Sequence, residues 1–402
     1  MKILDLSNVR SIFPTTLALA LVILLQMNHP PLINAQSIDV WFGTKKSNNN
    51  NDGMAIGIYH SALGTEKGSL TVPKLAIALD SPGFLAANPN PALKQSVLYA
   101  TTKIDGQHVI ASLKVTADKS LELMNAKPTG EKAGGACHVA VDATGKIAVS
   151  VQYGSGTVSV FSLSEDGSIV ERTQLIQHIG GSKVVGNRQN SAHAHYCGFD
   201  NDNQYAFVCD LGLDRVKIYK IDHEKRELVE HGEAVCEPGG GPRHMKFHPG
   251  GKHAFVLNEL AMSLSLFDYD ASSGSMLLKQ TVKTIPDSSR DKEVFNSASE
   301  ILVHPGGKFV YSANRGNDTI SVFEFDEAAG ELKRIQIEPV RGSWPRNINL
   351  SPEGNWLIAA GADSNSAAPF KIDTDTGLLT YVRGSKYVPH PICVLFTGGG
   401  QQ

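Results

Sequence analysis

The feature that most restricts the fold is a repeat of about 50 residues, each unit built from short alternating strands around a fixed turn. Its third strands read Thr157-Val158-Ser159-Val160-Phe161, Arg215-Val216-Lys217-Ile218-Tyr219, Ser263-Leu264-Ser265-Leu266-Phe267 and Thr319-Ile320-Ser321-Val322-Phe323. The turn after each first strand recurs as Asp142-Ala143-Thr144-Gly145-Lys146, His248-Pro249-Gly250-Gly251-Lys252, His304-Pro305-Gly306-Gly307-Lys308 and Ser351-Pro352-Glu353-Gly354-Asn355, with weaker copies at Asp200 to Gln204 and near Asn88-Pro89. The clearest unit is GGGPRHMKFHPGGKHAFVLNE, Gly239 to Glu259, in which apolar runs flank a Gly-rich break. That pattern predicts an antiparallel hairpin. A hairpin brings its outer ends together, so Arg243, His244 and Glu259 should be neighbours in space.

Units open near Phe84, Cys137, His195, Arg243, Ser299 and Arg346. The remaining strand-like segments make a seventh. Pro391 to Phe396 would be its innermost strand, and Ile38 to Leu79 would supply the rest, with a polar loop at Ser47 to Gly53. The expected fold is all-β: a seven-bladed β-propeller of four-stranded antiparallel blades, closed by N- and C-terminal strands sharing one blade. Joining both chain ends in one blade leaves no open sheet edge. A pair of β-sandwiches is the alternative. No long amphipathic helix or linker divides residues 36–402, which read as a single domain.

Residues 1–35 differ. Lys2 and Arg10 precede the apolar run Leu17 to Leu25, Pro30-Pro31 would break a helix, and Ile33-Asn34-Ala35 resembles a cleavage site. This is the layout of a secretory signal peptide, and the run falls short of the roughly 20 residues of a membrane span. Export, periplasmic or secreted, is expected, without stable membrane insertion after cleavage.

The net charge of −3 and the absence of a basic patch argue against nucleic acid as a partner. The five cysteines, Cys137, Cys197, Cys209, Cys236 and Cys393, are odd in number and widely spaced. They fit buried thiols better than a disulfide framework or a zinc site. No cofactor motif is present, and Gly239-Gly240-Gly241 precedes a strand, unlike a nucleotide loop. A monomer or weak oligomer is expected.

The repeat also serves as a ruler. Five positions before the first turn residue stand Cys137, His195, Arg243, Ser299 and Arg346; eleven positions after it stand Tyr153, Leu211, Glu259, Arg315 and Ala362. The first set starts innermost strands and the second ends their neighbours, so both belong to one mouth of the central channel. One His, three Arg and one Glu among neutral residues at packing positions call for pairing or a ligand to offset their partial burial. A salt-bridge network around Glu259 and a binding or catalytic mouth both satisfy that requirement. His193-x-His195 places two imidazoles on one strand face, but no third ligand stands nearby, so no metal site is assigned. Asp210 reads as a turn former facing the same mouth. His248 and His304 read as surface turn residues at the opposite end.

The runs GGGPRHMKFHPGGKHAFVLNE, SANRGNDTISVFEF, DLGLDRVKIY and HVAVDATGKIAVSVQYGSGTVSVF resemble the seven-bladed propeller lactonases, which include the propeller-type 6-phosphogluconolactonases and the carboxymuconate-lactonising enzymes. The resemblance runs from Ile38 to Phe396. It implies His195, Arg243, Glu259 and Arg315 as the working groups. Ala192 and Gln152 depart from the Pro and Asn common in the family, and neither change removes a charge. The implied function is hydrolysis of a sugar or related anionic lactone. His195 or Glu259 would serve as base and the arginines would hold the oxyanion. His193, His244, Arg346 and Tyr153 would bind substrate. The alternatives are a carboxymuconate cyclase using the same groups, and a secreted binding propeller without turnover. Export sits poorly with a phosphorylated cytoplasmic substrate, which leaves the particular lactone open.

Overall fold

Middle strands such as Ile147–Gln152 and Thr157–Leu163 are apolar or small at nearly every position and buried along their whole length, because both faces meet a neighbouring blade. Outermost strands such as Ile169–Gln177 carry charges and stay largely exposed. In the computed structural model, which describes residues 37–46, 56–130 and 133–398, these strands form seven antiparallel sheets around one axis. The leader, its cleavage site, the whole Ser47 to Gly53 loop and Ala55 lie outside the described residues. Among the described residues no helix is long and apolar enough to cross a membrane.

The innermost strands, in chain order, are Leu85–Ala87, His138–Val141, Ala194–Phe199, Pro242–Phe247, Ser297–Val303, Pro345–Leu350 and Pro391–Thr397; their blades are numbered 1 to 7 in that order. In blade 7 the C-terminal strand pairs with Ser37–Thr44, which pairs with Gly57–Gly64. The expected closure by both chain ends is therefore present. The core consists of seven apolar clusters, each lying between two adjacent blades. The interface between blades 7 and 1, with Trp41, Ile58 and Cys393 against Leu85 and Leu98, is as apolar as the rest.

At the channel end away from the mouth, the turns stack from blade to blade. Here the expectation for His248 and His304 is corrected: both are buried. The His248 ring lies over Gly307 of the next blade and the His304 ring over Gly354, where added Cβ atoms would stand 2.3 and 2.4 Å from the respective Nε2 atoms. Each Nδ1 also accepts the N–H of the glycine two positions on, at 3.0 Å. A turn considered singly looks exposed; the ring of blades covers it. All five cysteines are free, and all but the partly buried Cys137 are fully enclosed.

Candidate active site

The innermost strands of blades 3 to 7 begin with a β-bulge. Ala194 pairs with Asp210 and Tyr196 with Cys209, so His195 is the extra residue. By the same register shift Arg243 is extra between Pro242 and His244, and Arg346 between Pro345 and Asn347. Ser299 and Glu300 together face Ala313, and Ile392 is the extra residue in blade 7. A bulge re-aims a side chain and frees it from the ladder, which is how these residues come to face the channel. Gly83 and Cys137 hold the corresponding places in blades 1 and 2, where their N–H groups donate to Thr101 and Val151.

A second ring ends the neighbouring strands. The N–H groups of Leu211, Glu259 and Ala362 donate to the carbonyls of His193, Gly241 and Trp344, the residues just before the innermost strands. In blade 7 the same bond joins Lys45 to His390, and in blade 1 Lys103 stands two residues past Thr101, as Tyr153 stands two past Val151. The second ring is therefore Lys103, Tyr153, Leu211, Glu259, Arg315, Ala362 and Lys45. Lys45 and Lys103 were missed by the sequence ruler.

These rings enclose a cavity of about 730 Å³ whose lining includes Tyr153, His195, Arg243, His244, Glu259, Arg315 and Arg346. Seven of the eight expected site residues thus share one chamber. The eighth, His193, stands behind it. Its ring stacks on Tyr153 at 4.4 Å and its Nδ1–H donates to the Tyr153 carbonyl at 2.8 Å, so it braces the wall from outside.

Glu259 is the centre of the charged cluster. Its Oε2 meets Arg243 Nη1 and, at 3.2 Å, Arg315 Nη2; its Oε1 accepts from Arg188 Nη2 at 2.8 Å. Arg243 Nη1 also donates to His195 Nε2, while Arg243 Nε donates to the Ser299 carbonyl at 2.7 Å. Burial works to raise the Glu259 pKa, but Arg315 and Arg243 outweigh it and hold the carboxyl well below its ordinary value. Burial, reinforced by Arg243, holds His195 well below the usual imidazole value. His195 is therefore neutral near pH 7. Because its Nε2 accepts from Arg243, its proton sits on Nδ1, which is buried without a hydrogen-bond partner among the described residues.

Arg188 was also outside the sequence expectation. It belongs to the short turn Gly186–Arg188 in the long connection between blades 2 and 3, where no repeat register exists. That connection is tied down at both ends. His178 Nδ1 bonds Asp210 Oδ2 at 2.7 Å, and Gln189 donates to the Leu211 carbonyl at 2.9 Å. Asp210 is fully buried, and its Oδ1 accepts the N–H groups of His193, Gly212 and Leu213. It shapes the turn, as expected, and takes no place in the cavity wall.

Beneath the two rings, His244 Nδ1–H donates to Glu300 Oε1 at 2.9 Å, Asn347 Nδ2 donates to Glu300 Oε2 at 2.5 Å, and Asn347 Oδ1 accepts the Val394 N–H at 2.8 Å. This chain ties blades 4 to 7 together under the cavity. His244 Nε2 is left buried and without a partner among the described residues. At the rim, Phe295 stacks on Trp344 with centroids 5.7 Å apart, and the Arg315 guanidinium lies 5.6 Å from the Trp344 ring.

A family model described as "Lactonase, 7-bladed beta-propeller" matches residues 39–396. The chain is 36% identical over 341 residues to a 6-phosphogluconolactonase of Bacillus subtilis, covering 85% of this chain and 94% of the relative. It is 30% identical over 332 residues to a 6-phosphogluconolactonase of Formosa agariphila, covering 80% and 90%. Among solved structures, a Lactobacillus plantarum protein superposes with a TM-score of 0.81 at 29% identity, covering 90% of this chain and all of that one.

Proposed function

From the premise that the chain belongs to the seven-bladed β-propeller lactonase family, we propose that it is a hydrolase opening a sugar or related anionic lactone in the cavity at the channel mouth. The observation that carries this reading is the Glu259 cluster: one buried carboxylate shared by three guanidinium groups, with a neutral imidazole on the central arginine.

The chemistry follows from that arrangement. In the resting site, Arg243 and Arg315 neutralise Glu259. A lactone carbonyl entering the cluster draws both guanidinium groups toward its oxygen, where negative charge develops as water adds to the carbonyl carbon. Fixed cations aimed at that charge stabilise the tetrahedral oxyanion. As they turn to the substrate, Glu259 loses two of its three partners, its proton affinity rises, and it accepts the proton of the attacking water. Collapse of the intermediate breaks the ring C–O bond, and the proton passes from Glu259 to the departing oxygen. His195 stays neutral and holds Arg243 in place. The Arg188 bond to Glu259 Oε1 keeps the carboxylate oriented throughout.

The anionic character of the substrate is supported by the lining. Among the described residues, Lys45, Lys103, Arg188, Arg243, Arg315 and Arg346 face it against only Asp80 and Glu259. This excess of positive charge stands in a chain whose net charge is −3. A cationic cleft in such a chain concentrates anions. The leader-like first 35 residues support export with cleavage near Ala35. The test is acid release at pH 7 from a panel of sugar lactones, corrected for spontaneous opening. Hydrolysis of at least one is expected; a protein that binds them without acid release would be a binding propeller.

A further inference from the structure

The six cations of the cavity divide into two groups. Arg188, Arg243 and Arg315 converge on Glu259. Lys45, Lys103 and Arg346 have no carboxylate within ion-pair distance and no side-chain hydrogen bond among the described residues, though all three line the same cavity. They come from blades 7, 1 and 6, which are consecutive around the axis, whereas His195, Arg243, Glu259 and Arg315 come from blades 3, 4 and 5. The cavity thus has a catalytic side and, on the consecutive blades 6, 7 and 1, an arc of positive charge unpaired among the described residues, whose Arg346 end lies close enough to Arg243 and Glu259 to feel both. Among the described residues Asp80 is the only carboxylate on that arc, and His108 is also part of the lining.

Their placement does not follow from packing. Lys45 and Lys103 hold second-ring positions that are filled by Leu211 in blade 3 and Ala362 in blade 6, so the fold tolerates small or apolar residues there. Arg346 holds the bulge position that Ile392 fills in blade 7. Three like charges at neighbouring ring positions repel one another, and Lys45 is pushed below the usual lysine value by burial and then by Arg346. An arrangement that lowers stability and has no ion-pair partner among the described residues is explained by an anionic ligand.

We propose that Lys45, Lys103 and Arg346 form a subsite for an anionic end group of the substrate, a phosphomonoester or a second carboxylate, remote from the lactone carbonyl. The inference rests on the lactonase reading for the word substrate, but the subsite itself is defined by its charges. Arg346 offers a planar fork to two oxygens and the lysines act as point charges on the remainder. With the end group anchored on blades 6, 7 and 1, the ring is directed to the Arg243 and Arg315 pair.

The test uses stable open-chain acids, so it does not depend on turnover. Binding of 6-phosphogluconate, glucarate and gluconate to the mature protein is measured by calorimetry; the three differ in carrying a phosphate, a carboxylate or a hydroxyl at the far end. At least one of the first two is expected to bind about tenfold or more tighter than gluconate, the worth of one charge-assisted hydrogen bond. The order of those two identifies the end group. The double variant Lys45→Gln/Lys103→Gln should lose most of the preference, whereas Lys279→Gln on an outermost strand should keep it. Equal binding of all three acids, or an unchanged preference in a folded double variant, overturns the subsite. Lactone hydrolysis measured alongside separates the two claims: a protein that turns over lactones without end-group preference keeps the activity and loses the subsite, and the converse result does the opposite.

Discussion

Replacing Glu259 by Gln removes one negative charge and almost no volume, and the structure fixes what that should cost. Glu259 is buried and, among the described residues, is the only carboxylate within ion-pair distance of Arg243, Arg188 and Arg315. Arg188 has 29% of its side chain exposed and can regain water, so its share is small. Arg243 and Arg315, at 5% and 6%, cannot, and they are left as neighbouring buried cations. Breaking a buried pair by removing one partner costs about 3–5 kcal/mol. At roughly 2 °C per kcal/mol for a large domain, the melting temperature should fall by about 5–10 °C. Turnover should fall by about a hundredfold or more if the carboxylate takes the proton. The sequence alone suggests an either-or outcome, stability for an ion-pair role or turnover for a catalytic one; the geometry requires both losses. Calorimetric melting of the purified variant at low ionic strength tests the first part. Added formate should restore part of the stability of Glu259→Ala, where the anion has room to enter. A Glu259→Gln protein that melts with the wild type would refute the claim that this carboxylate neutralises the arginine cluster.

Stability should also fall as pH drops from 7 to 5, before ordinary carboxylates titrate. His138 and His195 have folded values well below the 6.5 of the free imidazole, so the unfolded chain takes up protons first and stability declines as pH falls below 6.5. At pH 5.5 the loss should be about 1 kcal/mol for each, read from denaturant midpoints. Deleting residues 36–45 removes the strand that joins the two chain ends, and the whole domain should melt markedly lower; a truncated protein melting at the full-length temperature would count against that closure. Gly354→Ala should destabilise by more than about 1 kcal/mol, since φ is +76° and the new methyl would meet His304. Mass spectrometry of the native protein should find a start near residue 36, and an intact Met1 would exclude export by cleavage.

The fold was legible because the propeller repeats itself in the sequence: in blades 2 to 6 the spacing from the start of the innermost strand to the turn and on to the second ring is constant. That constancy alone places Tyr153, His195, Arg243, Glu259, Arg315 and Arg346 on two rings. It failed where the count is broken. In blade 1 the stretch between Ala87 and Val97 is longer than the usual turn, and in blade 7 the two strands lie at opposite ends of the chain, so Lys103 and Lys45 fell off the ruler. Arg188 lies in a connection that follows no period, and no spacing argument reaches it. His193 shares a strand face pattern with His195, but it precedes the bulge and therefore turns away. Burial of His248 and His304 depends on the neighbouring blade, which a single turn does not reveal.

The most direct measurement is the rate of lactone opening by Arg243→Ala, on a lactone that the parent protein hydrolyses. Arg243 touches both His195 and Glu259, and in the proposed reaction it holds the oxyanion. Losing one such donor should lower kcat by about a hundredfold or more with the protein still folded. A folded Arg243→Ala protein that opens the lactone at the wild-type rate would contradict the assignment of this cluster as the active site.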